Sequence, residues 1–148
     1  MKQLLVIIGM LLTACGTGPT QSHGGPVQDQ VSLIDTLRKD LAVDVTGSIA
    51  QPFLHPESGT TVRLSGESLA GPADIQLFEY RSAAAASAEA KGIRRDGSGT
   101  ANASVDWVAP PHFFLKGRVL AIYVGKDRAV MTLLARAMGP QFAGSSQG

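Results

Sequence analysis

Hydrophobic positions along this chain follow two rhythms, and the switches between them mark out its elements. Within residues 31–41, Ile34, Leu37 and Leu41 stand at i, i+3 and i+7 with Leu33 beside them, a stripe that predicts an amphipathic helix. Residues 43–50 turn to alternating β-branched character and predict a strand. Pro52, Pro56 and Gly59 in the stretch that follows predict a turn. Residues 60–66 and 73–80 alternate in period two, with Ile75 and Leu77 on one face, and predict a hairpin closed by residues 67–72. From residue 81 to about residue 94 the chain is dominated by alanine, the strongest helix former, and such small side chains let a helix lie close to a sheet.

Residues 96–100 are rich in turn formers, after which 103–108, 111–115 and 118–125 read as successive strands. Lys116-Gly117 supplies the tight turn between the last two. Val119 to Val124 is apolar on both faces, as an interior strand covered on both sides requires. Residues 127–138 place Val130, Leu133, Leu134, Ala137 and Met138 along one stripe, begin with an acid and end at Gly139-Pro140, which are helix start and stop signals. The order helix, strands, helix, strands, helix predicts an α+β fold: a largely antiparallel sheet with about three helices packed mainly on one face.

The N-terminus carries a different message. Met1-Lys2 leads into an apolar run over residues 4–12, which has the length of a secretory signal core and is too short for a membrane-spanning helix of about 20 residues. It ends in Leu12-Thr13-Ala14-Cys15, which resembles the lipobox of bacterial lipoproteins at every position. The resemblance implies that the Cys15 thiol receives a diacylglyceryl group through a thioether, that the peptide bond before it is cut, and that the new amine can be acylated in turn. Two or three acyl chains convert marginal membrane binding into stable anchoring. Cys15 is the only cysteine, which fits a lipidated position better than a free thiol in an oxidising compartment. The alternative is an ordinary signal peptide with Cys15 incidental. Gly16, where Asp would stand in an inner-membrane lipoprotein, points by the same resemblance to the outer membrane (periplasmic side or surface) of a two-membrane host, or to the cell surface of a single-membrane one.

The expected organisation is a signal peptide over 1–14, the lipidated cysteine and a Gly/Pro/Ser/Thr/Gln-rich tether over 15–30, a single α+β domain over 31–143, and a disordered tail over 144–148. The later part of the chain resembles small exported bacterial lipoproteins of unassigned function. The shared pattern is Gln76-x-Phe78-Glu79-Tyr80, Trp107 with Pro111-His112-Phe113-Phe114, Tyr123-Val124-Gly125, and Gly139-Pro140-Gln141-Phe142-Ala143-Gly144. That resemblance implies one compact domain and brings no activity with it.

Charge and chemistry narrow the picture mainly by exclusion. Thirteen basic and twelve acidic residues are spread along the chain, and the one basic cluster, residues 91–95, sits at a predicted helix end, so no nucleic-acid footprint is expected. Gly66-Glu67-Ser68-Leu69-Ala70 falls one residue short of a G-x-S-x-G nucleophile elbow and lacks the strand-to-helix context. The histidines, His23, His55 and His112, have no metal-ligand spacing, and a site built from His55, Glu57 and His112 would need distant loops to converge, so neither metal nor cofactor is expected. Residues 96–100 lack EF-hand spacing.

Aromatic residues concentrate at Phe78, Tyr80, Trp107, Phe113, Phe114 and Tyr123; most should be core, while alternation sends Phe113 and Phe114 to opposite faces. His55, Trp107, His112 and Phe114 are the candidate binding residues. The leading reading is a non-enzymatic binding or interaction module, anchored to a membrane through Cys15 and offering a sheet face or the loops around His55 and His112 to an envelope protein or apolar ligand. The alternatives are a hydrolase-like envelope enzyme using His112 as general base, oriented by Asp106 or Glu79, and a structural assembly subunit.

Overall fold

A computed structural model describes residues 25–146. Along the chain it contains α1 (Gln30–Leu37), β1 (Ala42–Ser48), β2 (Ser58–Ser65), β3 (Ala73–Glu79), α2 (Ala83–Gly92), β4 (Pro111–Lys116), β5 (Val119–Val124), α3 (Arg128–Met138) and the short β6 (Ala143–Gly144). The strands form one six-stranded sheet in the order β1-β2-β3-β5-β4-β6, and every neighbouring pair is antiparallel. The α+β class expected from the sequence is the class observed.

Each helix begins where a short polar side chain can take up orphan amides. The Asp29 carboxylate accepts from the Ser32 amide at 2.9 Å while the Ser32 hydroxyl accepts from the Asp29 amide at 3.0 Å, a reciprocal capping box for α1. Ser82 caps α2 through the Ala85 amide, and Asp127 caps α3 through that of Ala129.

Side-chain alternation splits the core in two. Ile75, Leu77, Ala121, Tyr123, Val62, Leu64 and Phe114 face α1 and α3, which contribute Leu33, Leu37, Val130, Leu134 and Met138. Phe78, Leu120, Ile122 and Phe113 face the other way, under Ala86 of α2, Ile93, and the buried pair Phe53–Leu54. Two helices therefore share one face, and α2 with irregular chain covers the other. Because both faces are covered at the centre, Val119 to Tyr123 are buried at every position, as their uninterrupted apolar character predicted.

Three local differences from the sequence reading have physical causes. α1 stops at Leu37, but a closing turn, with the Leu41 amide donating to the Leu37 carbonyl at 3.1 Å, keeps Leu41 in the core as the stripe required. Residues 103–108 alternate like a strand yet form only an isolated bridge, Gly99↔Ser104, because they lie over a sheet face instead of joining an edge. Beyond α3, Ala143 and Gly144 pair with Phe113 and His112 and add the edge strand β6.

The register also gives the sheet two distinct ends. Ser58, Glu79 and Val119 lie together at one end, and Leu64, Ala73 and Tyr123 lie toward the other. Packing at the first end reaches back to Val27, which is buried, and to Gln28, whose carbonyl accepts from the Arg118 amide at 2.9 Å. Gly117 makes this approach feasible: its φ of 56° suits a residue without a side chain, and a Cβ there would run into the backbone of Gln28. Arg118 adds an ion pair to Glu79 at 2.7 Å, and Glu79 accepts from the Gln30 amide at 2.8 Å.

Candidate functional site

At the far end of the sheet three segments distant in sequence enclose a groove of about 540 Å³. Asp40 and Leu41 come from the turn into β1, Ser68 and Leu69 from the β2–β3 loop, and Arg128, Thr132, Leu133 and Arg136 from one face of α3. The volume falls in the range of small-ligand sites, roughly 300–1,000 Å³. Leu41 and Leu133 are buried, Leu69 is half-buried, and together they form an apolar floor. The rim is charged: Arg136 pairs with Asp40 at 2.6 Å, and Arg128 lies about two turns before Arg136 on the same face of α3.

Asp127 holds the walls of this groove in place. One carboxylate oxygen accepts from the Ala129 amide at 2.8 Å and caps α3, while the other accepts from the Ala70 amide at 3.0 Å and ties down the β2–β3 loop. The Asp127 amide in turn donates to the Tyr123 hydroxyl at 3.1 Å, which fixes the turn to β5.

The residues singled out in the sequence do not gather at one place. His112 is buried at 3% exposure, with Nδ1 2.8 Å from the Gln141 side-chain oxygen and Nε2 3.0 Å from the Gly125 carbonyl; the Gln141 amide nitrogen donates to the Ser145 carbonyl at 2.8 Å. Its ring stacks on Tyr123. Glu79, one proposed orienting partner, is occupied by Arg118 and the Gln30 amide, and Asp106, the other, is exposed on the loop before β4. A smaller cavity of about 280 Å³, bordered by Lys126, Arg128 and Met131, opens beside His112.

Trp107 is half-buried, donates from its indole nitrogen to the Gly97 carbonyl at 2.7 Å and meets Phe53 and Phe113 edge-on. Phe114 is fully buried in the core shared with α1 and α3. His55 lies at the Glu79 end of the sheet with its ring largely exposed, 3.2 Å from Glu89, and lines a different cavity from His112. Among the described residues no three His, Cys, Asp or Glu side chains come close enough to hold a metal ion, and no helix is long and apolar enough to cross a membrane. Cys15 and His23 lie outside the described residues.

Sequence reasoning reached three parts of the groove without seeing them as a site, the first being Leu41 at the end of the α1 stripe. Ser68 drew notice through the near-match to a nucleophile elbow, and Leu133 through the stripe of α3. Nothing in either pattern brings Asp40 to Arg136; a single leucine in the Gly/Pro-bounded loop 66–72 was a further local signal. No protein-family model matches the chain, and no curated protein and no solved structure matches it.

Proposed function

We propose that this chain is an exported lipoprotein held to a membrane through Cys15, and that its folded domain is a non-enzymatic binding module whose groove takes an apolar ligand with an anionic head. The observation that carries the reading is the pairing of an apolar floor, Leu41, Leu69 and Leu133, with a rim that sets Arg128 and Arg136 against Asp40. An apolar tail gains from leaving water, and the guanidinium donors of Arg128 and Arg136 at the mouth can bond a carboxylate or phosphate. The lipobox resemblance supplies the anchor. The described chain joins the domain against the β4–β5 turn, at the opposite end of the sheet from the groove, so attachment there leaves the groove's mouth clear.

The test uses the full chain carrying Cys15→Ser, which should no longer fractionate with membranes. Titration with a long-chain fatty acid should displace an anionic apolar dye, Leu69→Asp should abolish the displacement, and Arg136→Gln should weaken it. Equal displacement by all variants would remove the groove from the account. Membrane retention of the Cys15→Ser protein would remove the anchor.

A further inference from the structure

His112 sits inside β4 with both ring nitrogens against oxygen atoms, and one of those contacts reaches the segment that carries the last strand of the sheet. We infer that His112 is a proton-operated latch: its doubly protonated ring fastens residues 141–145 to β4, and loss of one ring proton frees that segment and uncovers the outer edge of β4.

Counting donors fixes which form of the ring fits. The Gly125 carbonyl, 3.0 Å from Nε2, can only accept, so Nε2 carries a proton. On the other side Nδ1 lies 2.8 Å from the Gln141 side-chain oxygen. A glutamine amide can turn over and offer its nitrogen instead, but the Gln141 nitrogen is committed to the Ser145 carbonyl at 2.8 Å, another group that only accepts. Turning it would set oxygen against oxygen there. The row from Gly125 through His112 and Gln141 to Ser145 thus has an acceptor at each end, and it closes without an unpaired atom only when the ring holds two protons. A neutral ring leaves Nδ1 and the Gln141 oxygen lone pair to lone pair, at a residue 3% exposed, where an unmade bond is costly.

The surroundings admit the cation. Tyr123 of β5 stacks its ring 6.0 Å from that of His112 and 22° from parallel, which presents a π face, while its hydroxyl accepts from the Asp127 amide. In the turn before α3 the Asp127 carboxylate is held by the Ala129 and Ala70 amides, and Lys126 borders the cavity beside the ring. Arg128 of α3 borders the same cavity, and Arg95 lies across β6, its carbonyl accepting from the Gly144 amide at 2.8 Å. Lys126 and Arg128 oppose a charge on the ring, but both are exposed and water screens them.

What the proton holds is lightly built. β6 has two residues, which pair with His112 and Phe113, and the flanking Phe142 and Ser145 amides donate to the Phe113 and Pro111 carbonyls at 3.0 and 2.9 Å. Short segments near a chain end open at low free energy, so one side-chain link weighs heavily in their equilibrium. Because the fully bonded ring is the protonated one, the segment is closed on the acid side and released as rising pH removes the Nδ1 proton.

The experiment is NMR of the full-length Cys15→Ser protein across the range in which histidines change charge, about pH 5–8. Nitrogen chemical shifts of the His112 ring should show two protonated nitrogens on the acid side. Protection factors, which remove the intrinsic pH dependence of amide exchange, should fall about tenfold at Phe142, Gly144 and Ser145 as the ring becomes singly protonated, while those of Val62 and Ile75 hold steady. Gln141→Leu, which removes the oxygen facing Nδ1, should leave the segment weakly protected throughout and abolish the step. Constant protection of the segment in the unsubstituted ring's background, a singly protonated His112 while the segment is closed, or a step that survives in Gln141→Leu would overturn the inference. So would a step that tracks the exposed His55 ring, followed in the same spectra, instead of His112.

Discussion

The Asp127 carboxylate reaches the Ala70 amide at 3.0 Å, so the residue that starts α3 also fastens the loop between β2 and β3. A single side chain thereby sets two of the three walls of the groove. Asp127→Ala should cost about 1–2 kcal/mol of stability in urea unfolding, the upper range for a lost cap. Amide exchange at Ala70 should accelerate in the same variant more than exchange in β3. Asp127→Asn, which keeps a capping oxygen, should lose less on both measures.

Arg136 and Asp40 form an ion pair whose side chains are 66% and 52% exposed. Exposed pairs contribute about 0–1 kcal/mol, so Arg136→Gln should leave the unfolding midpoint nearly unchanged. Its effect should appear in dye displacement by fatty acid, where loss of one rim cation weakens the anionic ligand and makes its binding less sensitive to salt. A large drop in stability with no change in binding would reverse these assignments.

Trp107 closes the aromatic group around Phe53 and Phe113, and its indole nitrogen serves the Gly97 carbonyl. Trp107→Phe retains the packing and drops the hydrogen bond, for a loss of about 1 kcal/mol. Trp107→Ala should cost more, toward the roughly 3–5 kcal/mol of large aromatic truncations, reduced because the ring is only half-buried. Circular dichroism in denaturant is the suitable measurement, since the substitution removes the chain's single tryptophan.

The pH limits of stability should trace to named groups. The Arg63 guanidinium, bonded to Asp74 through two contacts of 2.8 Å, holds the Asp74 carboxyl below the usual carboxylate range. A depressed folded value stabilises the protein above the unfolded carboxylate range near about pH 4, and that stabilisation is lost as pH falls through the folded value. Arg63→Gln should therefore narrow the gap in melting temperature between pH 6 and pH 3, modestly and only at low salt, because both side chains are about half exposed. Tyr80 acts on the alkaline side: its raised phenol contributes fully below about pH 10, and the contribution fades as pH rises beyond it. Tyr80→Phe should flatten that limb.

What could be read in one dimension was whatever local chemistry decides. The β4–β5 hairpin was legible because Lys116-Gly117 sits between two apolar runs, and α3 because Asp127 and Gly139 bracket a clear stripe. Residues 103–108 misled because alternation reports one-sided burial: Val105 and Trp107 turn inward and Ser104 and Asp106 outward with no partner strand beside them. Phe53 and Leu54 sit between two prolines and read as turn, yet they cap the core opposite α1 and α3, a contact made by distant chain. The groove was illegible for the same reason. Leu41 stood at the end of a predicted helix, Leu69 in a loop and Leu133 within a helical stripe, and only tertiary structure lines them up.

The strand order carries a consequence for how fast the domain assembles. β1, β2 and β3 are joined by successive hairpins, and so are β4 and β5, so each half can zip up locally. The joint between β3 and β5 differs, since α2, the irregular segment after it and β4 all intervene before Ile75 can meet Tyr123. The entropy of closing that long excursion is spent before its contacts form. Truncations at Ile75 or Ala121 should slow folding, whereas truncations in β1 should mainly quicken unfolding. The tempo of folding is thus set along one seam down the middle of the sheet, whatever the total strength of the core on either side.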